Sequence, residues 1–190
     1  MNESQQLILA SSSPRRRELL DTLTTAYQIV PPLCDELTDA ESPRALVCAN
    51  ARIKSDWVRQ RHPDAHVIAA DTVVVVDTCI LGKPKSREEA VETLLRLSGS
   101  AHHVHSGFSL YSPHSGVTER HVVSDVNFRT LTREDVLEYF THSNPMDKAG
   151  GYDIGARGDL VIDSYTGSKT NIMGLDTDTV QNWLLTEALC

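Results

Sequence analysis

The chain has 190 residues, of which 40% are hydrophobic and 23% charged, with a formal net charge of −8 and a pI of about 5.4. This composition is typical of a folded globular protein and excludes a disordered chain. The acidic balance excludes a general affinity for duplex nucleic acid, which requires a basic surface. No apolar run approaches the ~20 residues of a membrane-spanning helix, so we expect no membrane partner.

The cysteines are scattered, with no CxxC pair and no zinc-like spacing: Cys34, Cys48, Cys79 and Cys190. In a secreted protein they could form two disulfides. Because Met1–Leu9 has no signal-peptide pattern, we instead expect reduced thiols in a cytoplasmic protein.

The first half of the chain alternates strand-like and helical segments. Leu7–Ala10 is a short apolar run that predicts a buried strand. Ser13-Pro14 predicts a helix start, since serine is a good N-cap and proline suits the first helical position. A second helix is predicted from Ser42-Pro43, and a strand over Val67–Val76.

In the second half, the capping box Ser86–Glu89 predicts a helix that ends at Gly99. The remaining predicted elements are, in order, strands at Val104–Tyr111 and Val117–Leu131 joined by a turn, a helix at Thr132–Phe140, a strand at Asp159–Tyr165 and a helix at Thr177–Leu189. Helices mixed with lone strands and a hairpin predict an α/β fold on a mixed sheet, built as one domain over residues 1–190.

The turn between the first strand and the first helix combines three serines with three arginines, over Ser11–Arg17. Main-chain N–H groups and the positive end of the helix dipole make such a turn an anion site. Arginines in the first helical turn oppose that dipole, so we predict that Arg15 or Arg16 binds phosphate through its guanidinium group. The alternative is a solvated basic face beside a capping serine.

Asp71 interrupts the apolar run Val67–Val76. A buried carboxylate is costly unless it is paired, hydrogen-bonded or bound to a metal. We predict that Asp71 lies at the tip of a strand and faces a cleft, where it could bind a divalent cation or take a proton from water. The alternative is two strands with Asp71 at an exposed turn between them.

Weaker signals come from two lysines and one acidic pair. Lys54 continues an apolar helical stripe, although such a lysine can also extend to solvent. Lys83 lies between Gly82 and Pro84, which fix a turn that could aim its side chain. Glu36 follows Asp35 after a strand-like segment and could add a metal carboxylate, or could simply lie on the surface.

Four glycines in nine residues follow Met146–Lys148 and predict unusual backbone angles or close approach to a ligand. This segment matches neither the P-loop nor the GxGxxG fingerprint. In a separate segment, His102, His103 and His105 look at first like a metal-binding tract. In a strand, however, His103 and His105 share a face and His102 points away, so no metal site is predicted there.

Together these segments resemble the Maf family of nucleotide pyrophosphatases, in the family's order and from residue 7 to about residue 175. The motifs are Ala10–Arg16 (ASSSPRR), Ala70–Thr72 (ADT), Gly82–Pro84 (GKP), Leu97–Gly99 (LSG) with His102 and Val104, and Asp147–Tyr152 (DKAGGY). The resemblance implies an elongated, mixed-sheet, ITPase-like α/β fold with a cleft between two lobes. It also implies a homodimer that hydrolyses nucleoside triphosphates with Mg²⁺ or Mn²⁺.

The resemblance also implies roles for single residues. Asp71 is the expected proton acceptor, and Glu36 with Asp71 is expected to bind the metal. The side chains expected to face the phosphates of the substrate are those of Ser11, Arg15, Arg16, Lys54, Lys83 and Lys148.

Two positions resemble the family branch that acts on dTTP and UTP: Arg15 directly after the proline, and Thr72 directly after the aspartate. The branch acting on 7-methyl-GTP tends to carry tryptophan in place of Arg15. The chain departs from its branch at Gly155, where glutamine is usual at a position tied to base selection. It also has Asp176 where the family usually has proline.

The expected function is therefore a cytoplasmic, metal-dependent dTTP/UTP pyrophosphatase with a housecleaning role. One alternative is a nucleotide-binding regulatory protein linked to septum formation, with little catalysis; the presence of both Asp71 and Lys83 argues against it. Another is the same chemistry on a different base, such as 7-methyl-GTP or a damaged purine nucleotide.

Overall fold

The structure is a computed structural model and describes residues 6–189. The chain divides into two compact units. The first unit combines the residues up to Asp71 with Ser106–Val122 and the segment that follows Met173. The second unit combines Thr72–His105 with Val123–Met173.

Seven strands and six α-helices are assigned within the described residues. The strands are β1 Leu7–Leu9, β2 Gln28–Ile29, β3 His66–Val76, β4 Cys79–Leu81, β5 Ala101–Ser112, β6 Gly116–Phe128 and β7 Ile162–Thr166. The helices are α1 Pro14–Asp21, α2 Pro43–Arg59, α3 Arg87–Leu97, α4 Arg133–Tyr139, α5 Lys169–Ile172 and α6 Thr177–Thr186.

The strands form one mixed sheet in the order β2-β1-β3-β5-β6-β7, with β4 paired to β3. Strand β1 is parallel to both β2 and β3, whereas the β3–β4 and β6–β7 pairs are antiparallel. Three of these strands, β3, β5 and β6, contribute residues to both units. The predicted α/β fold on a mixed sheet is confirmed.

In the first unit, apolar residues of β1, β3 and α2 form a buried cluster that includes Ile8, Val67, Ala69 and Val58. Gly107 of β5 lies against the α2 backbone: a Cβ atom there would come within 2.4 Å of the carbonyl carbon of Val47. Only a residue without a side chain permits this approach. Helix α2, which carries the predicted site residue Lys54, is therefore held tightly in its unit.

The second unit has its own core, formed mainly by α3, α4 and the paired ends of β5 and β6. Tyr139, Leu94, Leu97 and Val126 are fully buried in it. His102 is buried as well, with its Nε2 2.8 Å from the Tyr152 hydroxyl. This contact joins β5 to the glycine-rich segment.

The predicted helix starts at Pro14 and Pro43 are confirmed, and Ser42 and Ser86 cap their helices as serines commonly do. The predicted cap at Ser13 is wrong in one respect. Its position is that of an N-cap, but within the described residues its side chain makes no capping hydrogen bond. Ser11 Oγ instead accepts the Ser13 N–H at 3.1 Å.

Other boundaries differ from the prediction. The strand predicted over Asp159–Tyr165 begins later, at Ile162, because Gly158–Leu160 form a short 3₁₀ helix before β7. The last helix ends at Thr186 rather than Leu189. Strands β2 and β4 and helix α5 were not predicted, because segments of two to four residues are too short to show a period in the sequence.

The predicted alternation of the histidine side chains is confirmed: His102 is buried in β5, whereas His103 is exposed and pairs with Asp125 at 2.6 Å. Cys34, Cys48 and Cys79 are free thiols, while Cys190 lies outside the described residues. Within residues 6–189, no helix combines the length and apolar character needed to cross a membrane.

Candidate active site

The turn predicted to bind phosphate lies in the first unit, where β1 leads into α1. Ser11 is buried, and the Ala10 N–H donates to the Ile68 carbonyl of β3 at 2.8 Å. With Pro14 at the first helical position and no side-chain cap from Ser13 within the described chain, the start of α1 keeps the character of an anion site. Arg15 is half-buried in the first turn of this helix.

Arg16 connects the turn to two other parts of the first unit. Its Nε donates to the Gly174 carbonyl and its Nη1 to the Ala70 carbonyl, both at 2.8 Å. Burial lowers the pKa of its guanidinium group, while the negative charges of Asp71 and Glu36 act in the opposite direction. These two donors hold the protein backbone, so a phosphate contact by Arg16 remains a prediction.

Asp71 is buried in the interior of β3, so the prediction that it lies at a strand tip is wrong, as is the alternative of an exposed turn. Strand β3 runs without interruption because this carboxylate is paired. Lys54 Nζ lies 2.7 Å from Asp71 Oδ1 and 2.7 Å from Glu36 Oε2. The side chains of Lys54, Asp71 and Glu36 are 8%, 12% and 48% exposed, so the acid–lysine–acid group is open on the side of Glu36.

Lys54 is buried, whereas its place in the sequence was also compatible with a side chain that extends to solvent. Its side chain does not extend to solvent, because it would leave the Asp71 carboxylate buried without a countercharge. Three predicted residues from separate segments, Glu36, Lys54 and Asp71, thus meet at one ammonium group.

Asn50 belongs to this group and was not predicted. It precedes Lys54 by one helical turn, is 3% exposed, and donates from Nδ2 to Asp71 Oδ2 at 3.2 Å. Both oxygens of Asp71 therefore accept one hydrogen bond from α2. The sequence signal was an amide on the apolar side of an amphipathic helix, four residues before a lysine.

The carboxylates fit a divalent cation that is shared with a substrate. Glu36 and Asp71 surround one positive charge, and Mg²⁺ characteristically takes one or two protein carboxylates together with phosphate oxygens and water. Within residues 6–189, no group of three or more His, Cys, Asp or Glu side chains is gathered for a metal. The donor set suits a cation that arrives with phosphate rather than a closed structural site.

Two predicted phosphate ligands lie in the second unit, in neighbouring loops. The Gly150 N–H donates to the Gly82 carbonyl at 3.0 Å, which joins the loop that carries Lys83 to the loop that carries Lys148. Lys83 is exposed and, within residues 6–189, makes no hydrogen bond or ion pair. Lys148 is buried, and its Nζ contacts Asp147 Oδ1 at 2.7 Å and the Asn144 carbonyl at 2.8 Å.

The unusual backbone predicted for the glycine-rich segment is present at two of its four glycines. Gly150 and Gly151 have φ values of 67° and 75°, and a Cβ atom on Gly150 would lie 2.9 Å from Val74 Cγ2. Gly155 lies outside the left-handed region, is exposed, and donates its N–H to Asp153 Oδ1 at 2.8 Å. Thr72, the other predicted specificity residue of the second unit, is half-buried directly after Asp71.

Curated proteins named dTTP/UTP pyrophosphatase are similar to this chain over most of its length. The protein from Akkermansia muciniphila is 40% identical over 179 residues, which cover 94% of each chain. The protein from Symbiobacterium thermophilum is 44% identical over 172 residues, covering 90% of this chain and 88% of the relative.

Solved structures support the fold. The Ham1 protein of Staphylococcus aureus aligns with a TM-score of 0.57 at 14% identity, over 96% of this chain and all of that one. A HAM1 protein from Coxiella burnetii aligns with a TM-score of 0.55 at 14% identity, over 97% of this chain and 98% of that one.

A family profile described as "Maf-like protein" matches residues 6–187. Strand β1, the Ser11–Arg16 turn, Asp71 and both glycine-bearing loops all lie within that range, and so does the group centred on Lys54. The predicted resemblance is confirmed: the chain belongs to the Maf family.

Proposed function

We propose that this chain hydrolyses dTTP and UTP to the nucleoside monophosphate and pyrophosphate, in a housecleaning role. The observation that carries the proposal is the buried Lys54 ammonium, which joins Asp71 and Glu36 in a chain about 40% identical to proteins named for that reaction. The sequence resemblance further supports a homodimer, and the scattered cysteines support a cytoplasmic location.

In the proposed reaction, a water molecule attacks the α-phosphorus and its proton passes to a carboxylate oxygen of Asp71. The bond between the α- and β-phosphates breaks, and pyrophosphate leaves. Each Asp71 oxygen accepts one hydrogen bond from α2 and has a second lone pair. Lys54 and Asn50 would thus hold the base in one orientation without occupying all of its acceptor capacity.

The phosphates of a nucleotide need positive charge, which this acidic chain concentrates locally. Ser11 and the first turn of α1 with Arg15 are proposed to bind phosphate through hydroxyl, N–H and guanidinium donors. Lys83 and Lys148 are proposed phosphate ligands from the second unit, on the basis of their motifs alone.

A divalent cation, Mg²⁺ or Mn²⁺, would be held by Glu36 and Asp71 and would neutralise charge on the phosphates. Lys54 balances the two carboxylates in the described structure. A nucleotide–metal complex therefore meets residues that are already gathered around a positive charge.

The proposal is tested by measuring pyrophosphate release from a panel of canonical and modified nucleoside triphosphates, with Mg²⁺, with Mn²⁺ and with a chelator. Metal-dependent release that is fastest with dTTP and UTP is the expected result. Release from 7-methyl-GTP or a damaged purine nucleotide instead would support the proposed reaction and contradict the proposed base preference. Nucleotide binding without any release would favour a regulatory protein over an enzyme.

A further inference from the structure

The side chain of Asn50 connects the segment that carries Glu36 to strand β3, which carries Asp71. Its Oδ1 accepts the Leu37 N–H at 2.8 Å, and its Nδ2 donates to the Leu37 carbonyl at 3.1 Å. The same Nδ2 donates its other hydrogen to Asp71 Oδ2 at 3.2 Å. Asn50 is thus hydrogen-bonded both to the residue after Glu36 and to the proposed proton acceptor.

The contacts to Leu37 reproduce the exchange of two hydrogen bonds seen between paired residues of two strands. They also fix the orientation of the amide. If Asn50 were flipped, its oxygen would face both the Leu37 carbonyl and the Asp71 carboxylate, which are acceptors. The observed orientation is therefore the one that satisfies all three contacts.

Leu37 depends on these hydrogen bonds because its segment has no regular secondary structure. Residues 30–37 lie outside every helix and strand, and Leu37 is 47% exposed. Lys54, one turn along α2 from Asn50, makes the corresponding link between the side chains of Glu36 and Asp71. Asn50 and Lys54 therefore form two parallel bridges from α2, one to the backbone beside Glu36 and one to its carboxylate.

We infer that Asn50 is a positioning residue that fixes Glu36 relative to Asp71, and so sets the affinity of the carboxylate pair for a divalent cation. The catalytic part of this inference rests on the proposed function. The hydrogen bonds of Asn50 to Leu37 and Asp71 do not depend on it. Lys54 holds the carboxylate of Glu36. A long lysine side chain cannot by itself fix the backbone of the segment that carries Glu36. The amide of Asn50 provides that backbone constraint.

The first test is hydrogen exchange at the Leu37 amide, which requires no activity. The Leu37 N–H donates to Asn50 Oδ1, so Asn50→Ala should speed its exchange by about tenfold or more, the effect of losing one or two hydrogen bonds. Val58→Ala is the matched control, because Val58 is fully buried on the same helix and makes none of these contacts. It should destabilise α2 while leaving the Leu37 amide protected.

The second test measures the Mn²⁺ affinity of the protein directly, and the Mg²⁺ concentration needed for half-maximal pyrophosphate release. Asn50→Ala should weaken both by about tenfold, whereas Val58→Ala should leave both unchanged. Glu36→Gln should also weaken them, but it should add little in the Asn50→Ala background, because both substitutions remove the same placed carboxylate. If Asn50→Ala does not fold, Asn50→Leu is similar in size, adds no charge beside Asp71, cannot form any of the three hydrogen bonds and carries the same expected change in metal affinity.

A role of Asn50 in stability alone predicts a different result. Asn50→Ala and Val58→Ala would then lower the melting temperature in the same way, with unchanged Mn²⁺ affinity and fully additive effects of Glu36→Gln, and the inference would be wrong. If the wild-type protein releases no pyrophosphate from any nucleotide, the proposed function fails. Leu37 exchange and Mn²⁺ binding would still decide the inference about Asn50.

Discussion

Lys54 is the residue on which the geometry of the candidate site depends most. Its ammonium is the shared partner of one buried carboxylate and one that is about half-exposed. The half-exposed contact to Glu36 contributes little to folding because water screens it, so the stabilising effect lies in the pair with Asp71. Removing the lysine would leave Asp71 buried with the amide of Asn50 as its remaining α2 partner.

Lys54→Met is therefore expected to lower the free energy of unfolding by about 3 kcal/mol, the range for breaking a buried pair by removing one partner. Pyrophosphate release should fall by at least about a hundredfold, because the carboxylates lose their orientation. Urea unfolding and steady-state kinetics measure the two effects. Lys85→Met, at an exposed lysine, is the control. A Lys54→Met protein as stable as wild type would contradict the ion-pair account.

Base selection can be tested at Gly155. The residue is exposed with an ordinary backbone, and a Cβ atom there would lie 3.2 Å from Asp153 Oδ1 and 3.5 Å from Met173 Cε. Gly155→Gln, which introduces the residue usual in the dTTP/UTP branch, should therefore fold. It should raise the ratio of kcat/KM for dTTP over that for other bases, whereas Gly155→Ala should not. An unchanged ratio would show that position 155 does not select the base in this chain.

Sequence patterns identified some site residues better than others. Asp71 was predictable because a carboxylate inside an apolar run demands a partner. Its partner Lys54 was not predictable, since a lysine on an apolar stripe can equally well extend to solvent. Asn50 gave only a weak signal, an amide on the apolar side of α2, because its role depends on Leu37, thirteen residues earlier in a segment without regular structure.

At the scale of elements, the position of α2 depends on its contact with Gly107 of β5. A Cβ atom at Gly107 would meet the main-chain carbon, oxygen and nitrogen of Val47 and Cys48 at 2.4 to 2.6 Å. A backbone cannot yield to such a contact as a flexible side chain can, so the helix would have to move.

Gly107→Ala should destabilise the protein by about 3 kcal/mol and also lower pyrophosphate release, because Asn50 and Lys54 move with α2. Thermal unfolding and kinetics measure both. Gly82→Ala is the stability control, since nothing lies within 4 Å of the added Cβ. Equal stability of the Gly107→Ala and Gly82→Ala proteins would contradict the close packing of α2 on β5.

The buried contact between His102 of β5 and Tyr152 predicts how stability depends on pH. Burial lowers the pKa of His102 from its usual 6.5 to about 4, and the nearby His103 acts in the same direction. Between these values the unfolded chain binds a proton that the folded protein does not. Stability from this residue is thus complete above about pH 6.5 and decreases as the pH falls toward 4, by up to about 3 kcal/mol.

His102→Gln keeps a hydrogen-bonding group near Tyr152 but does not titrate. The variant should lose this component of the pH dependence, while His66 and His121, whose pKa values are also lowered by burial, titrate in both proteins. Urea unfolding of the two proteins from pH 7 to pH 4 measures the difference. Parallel curves would mean that His102 is not held in its neutral form.

Elements with capping signals were predicted most accurately. Pro14, Pro43 and Ser86 mark helix starts in both the sequence and the structure, although Glu89 accepts from the Lys85 N–H and does not complete the predicted capping box. The ends were less accurate, as shown by residues 158–160, where the 3₁₀ helix precedes β7. Local propensity does not determine where β7 begins, since that depends on its pairing with β6.

For the whole molecule, the order of five short motifs predicted the family, and the mixture of helices with lone strands and a hairpin predicted the mixed sheet; both are confirmed. Net charge supplied a different constraint. A chain with a charge of −8 repels a triphosphate in general, so any site for one must collect cations locally. The three arginines of Ser11–Arg17 are the proposed concentration in the first unit, since Lys54 is already balanced by Asp71 and Glu36.

Asp71 is the proposed proton acceptor in pyrophosphate release from dTTP and UTP. The most direct measurement compares pyrophosphate release from dTTP by wild-type protein, Asp71→Asn and Asp77→Asn, with nucleotide binding measured for each. Asp77 is an exposed residue with a φ of 52°, a conformation that asparagine adopts readily. We expect Asp71→Asn to bind nucleotide but to release pyrophosphate at least about a thousandfold more slowly, and Asp77→Asn to match wild type. Near wild-type release by Asp71→Asn would contradict this role of Asp71.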